Sequence, residues 1–227
     1  MFDRSVILLC VRWYLAYNLS FRNLEEMMAE RGISVHHATI HGWIVRYSPE
    51  LLERFDRRKR VVTGRWHIDE TYIKVRGQWR YLYRAIDSNG DTVEFCFSKR
   101  RNLAAANRFL RKTLNCPGRP ERTVIDGTQT NREAMLFCDT AYQLRNRSRR
   151  DLRPIRIRLS AYLKNRIERD HREIKRRVRP MLGFQSDVSA GVILGSIEMI
   201  HMMRKQQAKY ARYPQPSLAK QFDFFAA

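Results

Sequence analysis

Between residues 66 and 97, three segments rich in aromatic and β-branched side chains follow one another with only short polar breaks: Trp66 to Val75, Arg80 to Ile86 and Thr92 to Phe97. The breaks, Arg76-Gly77-Gln78 and Asp87-Ser88-Asn89-Gly90-Asp91, are hairpin-turn sequences, so the stretch predicts three antiparallel strands. An Ala-rich helical pattern follows at about 101–114, then Pro117-Gly118, a short strand Arg122 to Ile125 and a helix from about Asn131. A strand Ile155 to Leu159 and a long helix from about Tyr162 complete the run.

The resulting order, β-β-β-α-β-α-β-α, predicts an α/β domain whose mixed sheet is covered by helices, the order of a ribonuclease H-like domain. That architecture serves several chemistries, so function has to be read from particular side chains. The domain is preceded by a different pattern, with the change at the basic run Arg57, Arg58, Lys59 and Arg60. Upstream lie helical patterns at about 5–17, 20–31 and 36–47, with Ser20 as an N-cap and Gly32 as a stop for the second. Helix, tight Gly-containing turn and helix make a helix-turn-helix reading. On the third helix Ile40, Trp43, Ile44 and Tyr47 form one stripe, leaving Thr39, His41 and Arg46 outward as candidate DNA contacts. A small helical bundle that only packs on the rest is the alternative for this segment. The expected division is 1–60 helix-turn-helix domain, 61–185 catalytic domain and 186–227 C-terminal helix and tail. Ile193, Ile197, Ile200 and Met203 mark that last helix as core or self-association surface.

Charge narrows the partner. Lys and Arg number 44 against 23 Asp and Glu, a formal charge of +21 on 227 residues, which calls for a polyanion. No stretch reaches the roughly 20 apolar residues that span a bilayer. The run 6–11 is interrupted by Arg12, and Val6, Leu9, Cys10, Trp13 and Tyr17 recur at helical spacing, so it reads as an amphipathic helix. The expectation is a cytoplasmic, nucleoid-associated protein with no membrane partner. Cys10, Cys96, Cys116 and Cys138 lack C-x-x-C spacing and read as reduced thiols. A glycine-rich phosphate loop of Walker type is absent. Seven arginines fall between 145 and 158 (Arg145, Arg147, Arg149, Arg150, Arg153, Arg156, Arg158), a density suited to phosphate contact and steeply salt-dependent binding.

Three carboxylates fall at telling places: Asp69 within the first strand, Asp126 just after the fourth, and Glu168 on the last long helix. If the first and fourth strands are neighbours, Asp69 and Asp126 lie side by side and the helix can bring Glu168 across them. Converging carboxylates suit hard cations such as Mg²⁺, with Mn²⁺ as a substitute, and paired ions activate the attacking oxygen and stabilise the leaving one at phosphorus. Each acid also has a plain structural reading: a strand-edge polar residue for Asp69, an Asp-Gly turn for Asp126, a solvated helix charge for Glu168. Strand alternation sends Glu70 to the face opposite Asp69, and Asp87, Asp91, Asp139 and Glu121 show no site pattern. Lys164, Glu168, His171, Lys175 and Arg179 share one helical stripe beside the apolar Leu163, Ile167, Ile174 and Val178. Lys164, His171 and Lys175 are therefore candidate phosphate contacts.

Several segments together resemble a known family. They are Val11-Arg12-Trp13-Tyr14, Met28-Ala29-Glu30-Arg31-Gly32, Trp66-His67-Ile68-Asp69-Glu70-Thr71-Tyr72, Tyr81-Leu82-Tyr83-Arg84-Ala85-Ile86-Asp87 and Asn165-Arg166-Ile167-Glu168-Arg169-Asp170-His171. The chain resembles, from about Arg12 to Lys205, the short DDE transposases of bacterial insertion sequences of the IS-six type. The resemblance implies catalytic, metal-binding roles for Asp69, Asp126 and Glu168, and a basic role for Lys175. It implies Mg²⁺-dependent cleavage exposing a 3′-hydroxyl at an element end, attack of that hydroxyl on target DNA, and replicative transposition through cointegrates. It also implies terminal inverted repeats recognised by the helix-turn-helix. Synapsis of two ends implies a homodimer or higher oligomer. The chain departs from the family in a longer interval between Asp126 and Glu168, and in Gly127-Thr128-Gln129-Thr130-Asn131 where a lysine is frequent. A ribonuclease H-like nuclease that cuts without joining, and a DNA-binding regulator without catalysis, are the other readings of the same residues.

Overall fold

The computed structural model describes residues 2–116, 118–126, 128–146, 153–159, 165–181, 183–209 and 216–226. They form two compact units, Val61–Glu173 and, separately, Met1–Arg60 with Ile174–Ala227. The sequence reading kept 186–227 apart as a tail, whereas here the chain from Ile174 onward belongs with the N-terminal helices.

The first unit is built on one sheet. Strands β1 (Arg65–Val75), β2 (Gln78–Asp87), β3 (Thr92–Ser98), β4 (Arg122–Ile125) and β5 (Arg156–Leu159) lie in the order β3-β2-β1-β4-β5. The β1–β2 and β2–β3 pairs are antiparallel, and β4 and β5 continue parallel to β1. This is the ribonuclease H-like sheet, in the order that the alternation of patterns predicts. Its first hairpin is tight: Val75 pairs with Gln78, leaving Arg76 and Gly77 at φ 48° and 76°. Two successive positive φ values give the turn whose twist matches the strands. In the second turn the buried Asp87 accepts from the backbone N–H groups of Asn89 (2.8 Å) and Asp91 (2.9 Å) with one oxygen, and from Thr63 (2.9 Å) with the other.

One sheet face carries the main core. Trp66 and Ile68 of β1, Tyr83 and Ala85 of β2 and Ile125 of β4 pack with Ala106, Phe109 and Leu110 of α4 (Leu103–Leu114) and Ala134, Met135 and Cys138 of α5 (Gln129–Arg145). Burial of each large side chain contributes roughly 1.5–3 kcal/mol. The Trp66 indole is satisfied by the Thr63 carbonyl at 2.7 Å. A charged contact ties in the next helix, α6 (Asn165–Val178): Arg84 of β2 reaches Asp170 at 2.5 Å, with side chains 0% and 9% exposed. Ile167, Asp170 and His171 form the buried face of the helix within this unit.

In the helical unit, α2 (Phe21–Ala29) begins with a reciprocal Ser20–Asn23 capping box. It ends as Gly32 predicts. Gly32 sits at φ 71°, its N–H donates to Ala29 and that of Ile33 to Met28, both at 2.9 Å, satisfying carbonyls that the helix end leaves open. The next helix, α3 (His37–Asp56), continues well past the expected end near 47 and runs through Pro49. Leu51 and Phe55 extend the buried stripe of Ile40 and Ile44, and that burial outweighs the hydrogen bond a proline removes. The C-terminal helix α7 (Asp187–Arg204) buries Ile193, Ile197, Ile200 and Met203, so these are core. Two arginines finish α1 (Arg4–Ala16): Arg177 donates to the Tyr14 carbonyl and Arg204 to that of Ala16. Burial pulls the Arg177 pKa down to about 10. A final helix, α8 (Leu218–Ala226), buries Phe222 and Phe225. Among the described residues no helix is long and apolar enough to cross a membrane.

The Arg84–Asp170 pair gives a stability prediction. Replacing Arg84 with Ala leaves a buried carboxylate without its cation and should cost about 3–5 kcal/mol. A urea titration of the variant should show a matching fall in midpoint, and an unchanged midpoint would mean the pair contributes nothing.

Candidate active site

The parallel pairing of β1 with β4 sets the position of the acids. Register pairs His67 with Val124, and Asp69 and Asp126 each lie two residues further on. The two carboxylates therefore meet where β4 ends. Their oxygens, with one from Glu70, lie within 4.8 Å of one another. Asp126 and Glu70 are buried and Asp69 is half-buried.

Glu70 is the unexpected member. Alternation does put its backbone on the other face from Asp69, with Trp66 and Ile68, but a glutamate is long enough to turn back at the strand's free edge beyond β4. Two neighbours hold it. The Asn131 side-chain amide of α5 donates to Asp126 at 2.7 Å and to Glu70 at 3.2 Å. Arg101, at the entry to α4, pairs with Glu70 and lies 3.7 Å from Asp126. Thr128, the N-cap residue of α5, makes no side-chain cap because its hydroxyl donates instead to Asp126 at 2.8 Å. A guanidinium and two neutral donors thus offset three clustered carboxylates. Although partial burial opposes its charge, Arg101 has its pKa raised, chiefly by the Glu70 carboxylate.

Glu168 stands apart from this trio. It is exposed in the first turn of α6, outside the group of oxygens that includes Asp69 and Asp126. Its helix is nevertheless fixed near them, because Arg84, which holds Asp170, is the β2 partner of Asp69. Of the basic stripe expected beside it, Lys175 is half-buried, seven residues on along α6. His171 is 5% exposed and belongs to the buried face of the helix, a correction to its reading as a DNA contact. The apolar stripe is wider than the sequence suggested, which brings position 171 inside. Lys164 lies outside the described residues. On α3, Thr39 and Arg46 are exposed as expected, but His41 is half-buried, with its Nε2 3.2 Å from the Ser189 hydroxyl and its ring against Phe21.

The cluster suits a hard divalent cation, because the ligand atoms it brings together are the carboxylate oxygens of Asp69, Glu70 and Asp126. Arg101 already shows that the cluster attracts positive charge. Residues 63–207 match the family described as a DDE domain. Over 209 residues the chain is 35% identical to the transposase for insertion sequence-like element IS431mec of Staphylococcus aureus (strain N315), covering 92% of this chain and 88% of the relative. The chain belongs to the DDE transposases of the IS-six family. It is thereby a metal-dependent DNA-processing enzyme. The transposase for insertion sequence element IS257 in transposon Tn4003, also from Staphylococcus aureus, matches with the same identity and coverage. Among solved structures, a simian T-cell lymphotropic virus intasome, in complex with PP2A regulatory subunit B56 gamma, aligns at TM-score 0.41 and 16% identity. That alignment covers 72% of this chain and 57% of the other.

Sequence reasoning passed over Arg101, Asn131 and the Arg84–Asp170 pair of this transposase. The run Lys99-Arg100-Arg101 after a strand, and the acidic pair Asp69-Glu70 within one, were the available signals. Arg101→Gln removes a cation that competes for the carboxylates, so divalent-ion affinity should rise about fivefold, or about 1 kcal/mol. Calorimetric titration with Mn²⁺ at neutral pH reads this, and weaker binding would show that Arg101 supports the ion instead.

Proposed function

We propose that this transposase cleaves DNA at insertion-sequence ends and transfers the freed 3′-hydroxyl into target DNA, using Asp69, Asp126 and Glu168. The observation that carries the reading is the juxtaposition of Asp69 and Asp126 at the end of the β1–β4 pair. In it Asp69 and Asp126 hold Mg²⁺, or Mn²⁺ in its place, and Glu168 completes the set when DNA is engaged. A divalent ion at such carboxylates supplies Lewis-acid polarisation of a phosphodiester and activation of the attacking oxygen. The chain's own contribution is positional. Asn131 and Thr128 orient the Asp126 carboxylate, leaving its second oxygen towards Arg101. Glu70 holds Arg101 and Asn131 at the cluster's edge. The Arg84–Asp170 contact fixes the α6 turn that carries Glu168.

DNA is held by other groups in this reading. Lys175 lies two helical turns beyond Glu168 and takes a phosphate near the cleaved bond. The α2-turn-α3 segment reads the terminal inverted repeats, with Thr39 and Arg46 on its exposed face. Synapsis of two ends calls for at least a homodimer, working on the bacterial nucleoid in the cytoplasm.

The decisive experiment is in vitro strand transfer with Mg²⁺ on labelled DNA carrying the element's terminal repeats. Asp69→Asn, Asp126→Asn and Glu168→Gln should each lower joining by at least about 100-fold while repeat binding persists. Full activity in any one variant removes that residue from the site. A folded wild type that cleaves without joining would make the protein a nuclease, and one that binds without cleaving a regulator. Lys175→Ala should weaken DNA engagement without unfolding the protein, and unchanged binding and activity would exclude its phosphate role.

A further inference from the structure

Where β1, β4 and β5 begin, their register sets three arginines in a row: Arg65 pairs with Arg122, and Arg122 with Arg156. Residues paired in a sheet project on one face, and like charges placed opposite one another destabilise it. Neighbouring strands are about 4.8 Å apart, so the row spans about 10 Å. It opens into a pocket of about 550 Å³, whose lining also includes Arg119, Glu121 and Arg153.

The pocket is rigidly built. The Gly64 carbonyl accepts from the N–H groups of Glu121 (2.8 Å) and Arg122 (3.3 Å), and the Arg156 N–H donates to the Glu121 carbonyl at 3.0 Å. Behind the row Arg119 is paired with the buried Asp139 and donates to the Arg153 carbonyl at 3.2 Å. The other Asp139 oxygen accepts from the Ile155 N–H at 3.0 Å and from Gln143 at 2.9 Å. Asp139 therefore neutralises Arg119 alone. Among the described residues no ion pair joins Arg65, Arg122, Arg153 or Arg156 to a carboxylate, and Glu121 is the single acid in the lining. Arg122 precedes Asp126 by four residues of extended chain, about 13 Å, so the pocket lies at the other end of β4 from the carboxylate cluster.

We propose that this arginine pocket is a second DNA-backbone site, taking phosphodiester groups of duplex DNA away from the bond that is cut. The proposal rests on the transposase reading and adds a place on the molecule where flanking duplex is gripped. Duplex fits better than a free phosphate because a row of about 10 Å matches the rise of about three nucleotides along a strand at 3.4 Å each. A polyanion there relieves the repulsion that the register imposes on the unliganded sheet.

The test uses the full chain and a random-sequence duplex lacking the terminal repeats, with affinity followed by fluorescence anisotropy across a salt series. Arg65 and Arg156 are both exposed, so Arg65→Ala/Arg156→Ala should fold normally. Each phosphate contact contributes about 0.9 to the slope of log affinity against log salt, so the double variant should be shallower by about 1–2. Arg108→Ala/Arg111→Ala, exposed on α4, removes equal charge elsewhere and should change the slope less. Equal slopes for the two double variants would overturn the pocket, as would a slope identical to wild type. Calorimetric binding of inorganic phosphate that the pocket variant loses, with its DNA slope unchanged, would assign the site to free phosphate and overturn it too. A wild type showing no salt-dependent DNA binding would sink the DNA reading along with the pocket.

Discussion

The parallel pairing of β1 and β4 is the contact on which both charged ends of the sheet depend. Its register aligns Asp69 with Asp126 beyond the last paired residues, and Arg65 with Arg122 at the first. Parallel strands need a crossover, supplied here by β2, β3 and α4, so the pairing unites residues more than fifty positions apart. Side-chain period in a strand is two, and a slip of one residue would turn each of these groups to the wrong face. The apolar residues between them, Ile68 and Ile125, face the α4 and α5 side and hold the register against such a slip. Core packing is thus what sets the spacing of charge.

Like charges crowded at both ends of one short strand have to be offset locally. At the acidic end the offset comes from Arg101, Asn131 and Thr128, each delivered by the chain just before or within the first turn of a helix. At the basic end Asp139 offsets only Arg119. The asymmetry is chemical. A buried carboxylate cluster without cations is costly, and a protein cation that is partly exposed can be displaced by a metal ion. Exposed arginines can wait in water at little cost until a polyanion arrives. The fully buried Arg84–Asp170 pair is of a third kind, with no exchange in prospect, and serves to fix the helix that bears Glu168.

Much of this was legible in the sequence. Strand periodicity and turn residues gave the β-β-β-α-β-α-β-α order, and Ser20 and Gly32 marked both ends of α2 because capping is a local effect of one or two side chains. Asp69 and Asp126 could be paired once the order was known. What escaped was set by side-chain reach and by helix environment. Glu70 was excluded by strict alternation, which describes Cβ directions and not where a flexible carboxylate ends. His171 and His41 were placed outward because a helical wheel shows angle but not how wide a stripe is covered. Arg101 and Asn131 come from segments distant in sequence, and only Arg101, in the basic run 99–101, belongs to a pattern at all. The helical pattern read at about 36–47 stops short of the α3 end, because tertiary packing of Leu51 and Phe55 carries the helix on through Pro49.

The formal charge of +21 then acquires a structural meaning beyond attraction to DNA. Some arginines are consumed internally: Arg177 and Arg204 close α1, Arg84 binds Asp170, Arg119 binds Asp139. A lysine could not replace these groups easily, because the planar guanidinium reaches carbonyl and carboxylate oxygens with several donors and keeps its charge when buried. Of the arginines left at strand starts, Arg122 is paired on both sides, with Arg65 and Arg156, so their spacing is set by the sheet and not by flexible loops. A nucleic-acid backbone presents charge at fixed intervals, and fixed arginines lose less entropy in meeting it than a mobile basic tail would. The sheet register that brings the carboxylates together at one end thus lines up the arginines at the other.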